Sequence, residues 1–392
     1  MNAEPLQKFK IIDLSRVGTG RYCTMLLADF GAEVITIETP RIDSSLPPLF
    51  TDDTSPRYLA FNRNKKSMAL NLRKAGGKEI FYQLMKGADA LVESYRPGVT
   101  KKLGIDYETL QNLNPRLIYC SISGFGQDGP HSTRSSHDLN YVGLSGILSL
   151  TGPEEGPPSL VGAQMADLIG GFCQSTIALL IALLEREQSG TGQYIDLSML
   201  DGLVHALWSQ GQDYLLTGRV PQKGEHILTG LSAGYNIYQT SDKLFLTLGC
   251  YEPWFWERLC RIVGREDFIE HQTAQGEKRK EIFAFFREIF KTKTRSEWLK
   301  ILTEADIPCG PANNFGETFR DPQVIHRKMI VEVNHPRLGK IKQIGIPIKL
   351  SRTGGKIQNP PPQYGEHTIE ILKGMGYTEE AIQDLRGNKI IE

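Results

Sequence analysis

A chain of 392 residues exceeds what one hydrophobic core usually supports, so two domains, or one large domain carrying a smaller one, are expected. With 40% hydrophobic and 23% charged residues the composition is ordinarily globular, which argues against disorder and membrane residence. Forty-five basic residues balance 45 acidic ones with no long run of either sign, which excludes the broad basic footprint of a nucleic-acid binder.

The chain starts without the basic residues and apolar stretch of a secretory signal, so a cytoplasmic location is the expectation. Strand and helix signals then alternate: strand Phe9–Leu14, helix Gly20–Phe30, strand Glu33–Glu38, helix Ala75–Lys86, strands Asp89–Glu93 and Leu117–Ser121. Near-continuous apolar strands between helices predict an α/β fold whose parallel sheet is covered on both faces. A helix over Ile169–Glu187, a Gly190-Thr191-Gly192 stop, the strand Gln193–Leu197 and a helix from Ser198 extend this first domain over residues 1–205. The stretch Leu168–Leu184 is apolar, but Gln174, Ser175 and Thr176 interrupt it and it falls short of a ~20-residue membrane span. It is expected to be a buried core helix.

Residues 206–230 turn to Gly, Pro, Lys and polar residues toward their end and are expected to be a linker. A small α+β domain over 231–315 follows, with strands Asn236–Gln239 and Leu244–Leu248 and helices Trp254–Val263 and Glu281–Phe290. The tail, 316–392, carries strands Ile330–His335 and Lys340–Gln343 and a helix Thr368–Met375. The six cysteines form no CxxC pair, which argues against a disulfide framework and a zinc site and leaves buried free thiols.

Several segments could carry chemistry. Gly124-Phe125-Gly126-Gln127-Asp128-Gly129 fits GxGxxG after a strand, but the polar run Pro130–Ser136 cannot be the helix that a pyrophosphate requires. A turn-forming glycine loop is the better account. Asp167 stands where an apolar helix begins, beside Gly170 and Gly171. It could be an N-cap, or a reactive carboxyl near helix-terminal amides that stabilise an oxyanion. His137 follows the glycine loop, and Glu252 precedes a helix whose dipole it could simply complement. Basic residues gather at Asn62-Arg63-Asn64-Lys65-Lys66, at Tyr95-Arg96 and at Lys101-Lys102, where strand-end loops could hold a nucleotide-like tail.

Taken in order, Ile12-Asp13-Leu14-Ser15-Arg16, Leu26-Leu27-Ala28-Asp29-Phe30-Gly31, Tyr95-Arg96-Pro97-Gly98-Val99, Ser123–Pro130, Ile307-Pro308-Cys309-Gly310-Pro311 and Gly365-Glu366-His367-Thr368 resemble the family III CoA-transferases, the carnitine dehydratase and bile-acid-inducible protein F family. The resemblance spans nearly the whole chain. It implies a Rossmann-like large domain completed by the C-terminal tail, a small domain between, an interlocked homodimer, and an acyl-CoA substrate with no metal or other cofactor. Transferases of the family use an aspartate at the position of Asp167 as a nucleophile. In the 2-methylacyl-CoA racemase branch, residues matching Asp167 and His137 exchange the proton α to the thioester, with a glutamate matching Glu252 beside the histidine. Racemisation is therefore the leading expectation, CoA transfer the alternative, and a catalytically silent CoA-binding protein a third. For the coenzyme moiety the expected contacts are Arg16, Asn62, Arg63, Lys65, Tyr95, Arg96 and Lys102. The sequence departs from the family pattern at Thr39, where a basic residue is common, and at Ser94, where an asparagine is common.

Overall fold

The computed structural model describes residues 4–16, 18–41 and 52–392. Strands β1 (Lys10–Leu14), β2 (Glu33–Glu38), β3 (Lys66–Ala69), β4 (Ala90–Glu93), β5 (Ile118–Ser123) and β6 (Tyr194–Ser198) form one sheet in the order β3-β2-β1-β4-β5-β6. Every pairing is parallel. In β1 the run Ile11-Ile12-Asp13-Leu14 is buried throughout, as a strand covered on both faces must be. One face packs Ile12, Ile35, Met68 and Leu91 against Phe81 and Leu84 of the helix Ala75–Lys86 and against Leu372, Ile382 and Ile391 of the tail. The other packs Ile11, Val34, Val92 and Ile118 against Cys23 and Leu27 of helix α1 (Gly18–Asp29) and against Leu179 and Leu183.

The strand order reverses between β1 and β4, because the chain winds outward through β2 and β3 and then returns to the other side of β1. Ligands of open α/β sheets settle in the crevice outside the carboxyl ends at such a switch point. Here the two loops that flank it meet: the Arg16 amide donates to the Ser94 hydroxyl across 3.1 Å.

β3 was not expected; its four residues open on Lys66 and Ser67 and are too short and polar to announce a strand. The tail covers this edge, with the Ala69 amide donating to the Thr368 hydroxyl at 3.0 Å and an antiparallel bridge between Leu70 and Ile391. A further helix, Glu379–Gly387, ends the chain beyond the one expected near residue 368.

The chain divides into two compact units: residues 1–145, 163–206 and 322–392 in the first, 146–162 and 207–321 in the second. The second holds an antiparallel sheet of Ile237–Gln239, Phe245–Leu248 and Cys309–Pro311. Its core is aromatic, with Trp256, Phe268, Phe286, Phe290 and Trp298 buried together. Two boundaries differ from expectation. Gly146–Gly162 leaves the first unit for the second, and the segment expected to be a linker contains the helix Trp208–Thr217 and belongs to the second unit. Local composition from 217 onward is loop-like, but Trp208, Tyr214, Leu215 and Leu216 upstream of it carry a helical pattern.

The apolar helix after residue 166 also differs from the expected core helix. It buries Ser175, Thr176, Leu179, Ala182, Leu183 and Arg186, yet exposes Ile177, Leu180, Ile181 and Leu184 on its other side. By length and composition this helix, Ala166–Ser189, passes as a membrane span, but only by that measure. Cys173 at its start is exposed, so not every cysteine is buried; Cys23, Cys120, Cys250 and Cys260 are.

Candidate active site

The helix that carries Asp167 starts as a π-helical segment, Ala166–Cys173, before continuing as an α-helix over Gln174–Ser189. A π segment is wider than an α-helix and exposes backbone groups, and such segments recur at functional sites. Its glycines are sterically required. A Cβ on Gly170 would lie 2.1 Å from the Met199 carbonyl oxygen, and one on Gly171 would lie 2.0 Å from Cγ2 of Thr19. The helix Met199–Ala206 returns the fit, since a Cβ on Gly202 would lie 2.4 Å from the Gly170 Cα. The π segment thus meets the backbone of Met199–Ala206 with no side chain between them and, at Gly171, the Thr19 side chain, which fixes Asp167 against the start of α1.

Asp167 itself is not the N-cap that its position suggested. Asp138 caps the segment from 28 residues away: its Oδ1 accepts from the Ala166 amide at 2.7 Å and from the Asp167 amide at 3.1 Å. The same contacts correct a second expectation, because these two amides already serve a carboxylate and are not open to an oxyanion. Asp138 in turn is fixed as the first residue of the helix Asp138–Leu144, where the His137 amide donates to Asn140 Oδ1 at 3.0 Å. Tyr141 on that helix lies flat on Gly124, whose added Cβ would meet its hydroxyl at 2.1 Å, and donates to the Ser136 carbonyl at 3.1 Å. The glycine loop is a turn with Gly126 and Gly129 at positive φ, and no helix follows its last glycine.

The Asp167 side chain is therefore free of capping duty and sits in a divided field. Burial, and next the Asp138 carboxylate, push its carboxyl above the usual carboxylate range; a hydrogen bond from Thr19 and the charges of His137 and Arg57 pull it back. His137 is exposed. Sequence inspection brought His137 and Asp167 forward as site residues but gave no role to Thr19 and Asp138. Asp138 had a visible signal in its adjacency to His137; Thr19 had none beyond its place at a helix start. Replacing Asp138 with Ala should cost about 1–2 kcal/mol as a lost cap. It should also move the acidic limb of the pH–rate profile to lower pH, since the carboxylate that raises Asp167 is gone; a melting curve and a pH profile check the two effects.

The basic residues divide in two. Arg63 and Lys65, expected to hold a phosphate, are buried and spent. Lys65 Nζ gives its three protons to Asp13 Oδ2 at 3.0 Å, the Arg21 carbonyl at 2.7 Å and the Thr24 hydroxyl at 2.8 Å. Arg63 places Nε and Nη2 on the Asp29 carboxylate at 3.0 and 2.7 Å and Nη1 on the Ile344 carbonyl. Asn62 is buried as well, donating to the Tyr58 carbonyl at 2.8 Å. A lysine or arginine leaves water only for a partner, and these found carboxylates. Arg16, Arg96 and Lys102 remain exposed, and Tyr95 half-buried, with Arg16, Tyr95 and Arg96 on the two loops of the switch point. Glu252 belongs to the second unit, where it precedes the helix Pro253–Ile262 and makes no cap hydrogen bond with its side chain. That unit also carries an open cavity of about 820 Å³, lined by Tyr238, Leu248, Phe283, Arg287 and Cys309 among others.

Comparison with known proteins agrees with this architecture. Residues 6–368 match the profile of CoA-transferase family III. The chain is 33% identical to human succinyl-CoA:glutarate CoA-transferase, over 100% of this chain and 91% of that one. It is 32% identical to human alpha-methylacyl-CoA racemase, over 99% and 97%. A CaiB/BaiF family protein from Brucella suis superposes with a TM-score of 0.83 at 29% identity, covering 95% of this chain and 100% of its own. With the profile matched from one end of the doubly wound sheet to the tail that closes it, the chain is an enzyme that belongs to CoA-transferase family III.

Proposed function

We propose that this enzyme racemises a 2-methyl-branched acyl-CoA by exchanging the proton on the carbon α to the thioester. The observation that carries the proposal is the Asp167 carboxyl, held above its ordinary range by burial and by Asp138, within electrostatic reach of an exposed His137. Exchange at one carbon needs an acid and a base that face a planar enolate from opposite sides, each able to hold and release a proton near neutral pH. One of the pair removes the α-proton, the electron pair delocalises onto the thioester oxygen, and the other returns a proton to the opposite face. The coenzyme's nucleotide end is assigned to the switch-point loops, with Arg16, Tyr95, Arg96 and Lys102 as its contacts; Asn62, Arg63 and Lys65 are withdrawn from that set.

CoA transfer is the second reading, favoured by the transferases among the relatives, including a succinate–glutarate CoA-transferase of Agrobacterium fabrum at 33% identity. It would use Asp167 as a nucleophile, forming an anhydride and then an aspartyl-CoA thioester. A single enantiomer of a 2-methylacyl-CoA, incubated with the enzyme, hydrolysed and run on a chiral column, should yield both enantiomers in equal amounts. Retained configuration, together with a hydroxylamine-sensitive mass on Asp167 in the presence of an acceptor acid, would transfer the assignment to the second reading.

The proposal includes an interlocked homodimer. The exposed stripe Ile177, Leu180, Ile181 and Leu184 supports it, since a contiguous apolar helix face is costly to leave in water. Sedimentation should give twice the chain mass, and a monomer at micromolar concentration would remove that part of the proposal.

A further inference from the structure

At the carboxyl end of β4, Glu93 is 2% exposed and accepts from the Tyr95 amide at 2.6 Å and from the Ser121 hydroxyl. Ser121, its cross-strand partner on β5, accepts in turn from Gln127 Nε2 at 2.8 Å. The Gln127 main-chain amide is held on the Asp196 carboxylate in the middle of β6, 3.1 Å from either oxygen. One carboxyl therefore sits between two turns: 94–98 at the switch point, and 124–129, which leads to His137. Neither the catalytic proposal nor the sequence motifs use it.

We propose that Glu93 is a positioning residue that sets both turns together, so that gain or loss of its proton changes how tightly coenzyme A is held. The inference rests on the assignment of the nucleotide end to the switch-point loops.

The physical ground is a carboxyl with no cation beside it among the described residues. The groups that act on it are the Ser121 hydroxyl and the Tyr95 amide, and they only partly offset burial, so its pKa rises to about 7. The titratable neighbours that feel it are Tyr95 beside it, Tyr119 and Cys120 on β5 and Tyr194 on β6; all four have raised pKa values and are neutral at pH 7. Arg16, Arg21 and Arg73 act on Tyr95 but not on Glu93. When ionised, Glu93 accepts from both partners. When protonated, its one O–H must donate; the available acceptor is Ser121 Oγ, whose own hydrogen then turns away, to the Tyr194 hydroxyl that Ser121 also bonds or to a Gln127 side-chain oxygen presented in place of the NH2. The hydrogen bonds through Ser121 rearrange while the main chain of Gln127 stays anchored. A phosphate bound at the switch point favours the neutral form, because it is an anion beside a buried carboxylate.

The test is calorimetric binding of coenzyme A to the full-length protein from about pH 5.5 to 8.5, for wild type and Glu93→Gln. The 3′-phosphate of the ligand titrates in the same window, so the readout is the ratio of the two affinities. Wild-type affinity relative to Glu93→Gln should fall about fivefold across pH 7, the linkage expected of a proton favoured by the bound ligand. A thermal shift checks the proton without ligand. The folded-state pKa of Glu93 lies above its unfolded value of 4.5, so wild type should lose stability relative to Glu93→Gln as pH rises from about 4.5 through 7. An affinity ratio independent of pH overturns the inference while leaving the acyl-CoA assignment standing. Wild type that binds no coenzyme A at any pH removes both.

Discussion

Asp167→Asn should lose racemisation by at least about a thousandfold while remaining folded. The size follows from the role: a positioned acid or base contributes about 10²–10⁴ to a proton transfer, and an amide of the same shape can neither take nor give the proton. The fold should tolerate the change for a reason visible in the charge balance. The Asp167 carboxyl is raised above 3.8 in the folded state, so its ionisation opposes folding, and that cost is fully present once the pH exceeds the folded value. An uncharged side chain removes it, and the variant should melt no lower than wild type at about pH 8. Thr19, the donor to the carboxyl, can donate equally well to the amide oxygen. A variant with wild-type activity would take Asp167 out of the chemistry; a variant that fails to fold would contradict the sign of the charge balance.

Gly170→Ala should cost more stability than any other single substitution considered above. The new methyl group would arrive 2.1 Å from the Met199 carbonyl oxygen, which is backbone and cannot rotate away. Relief requires the helix Met199–Ala206 to move from the π segment, and with it Gly202, which touches the Gly170 Cα from the other side. Overpacking of this kind costs about 3 kcal/mol or more. Because Asp167 lies one helical turn earlier on the same segment, activity should fall along with stability. Urea denaturation of Gly170→Ala against wild type measures the first, and specific activity of the soluble fraction the second. A variant within about 0.5 kcal/mol of wild type would mean that the two backbones are not in close contact.

Where a segment makes its own case, the sequence stated it well. The bounds of β2, Glu33–Glu38, and of the helix Ala75–Lys86 coincide with expectation, because each is an uninterrupted pattern of one period. What escaped was decided elsewhere in the chain. Asn62-Arg63-Asn64-Lys65-Lys66 has the look of a solvated basic loop until Asp29 and Asp13 are brought to it by the winding of the sheet, and then Lys66 opens a strand. The cap on Ala166 and Asp167 comes from Asp138, and no local pattern at 166 announces a donor site filled from residue 138. The excursion of Gly146–Gly162 into the second unit was equally invisible, since a polar, glycine-rich stretch carries no mark of which core it serves. Of the candidate site, His137 and Asp167 were put forward through the family resemblance; the groups around them, Thr19, Asp138 and Tyr141, required coordinates.

The most direct test of the central claim is exchange itself. A 2-methylacyl-CoA incubated with the enzyme in deuterated water should gain one deuterium at the α-carbon, seen by mass and by loss of the α-proton NMR signal. In step with it the second enantiomer should appear, and neither should occur with Asp167→Asn. No deuterium at the α-carbon across a panel of branched acyl-CoAs, with an acyl-CoA formed from an added carboxylic acid instead, would contradict the account.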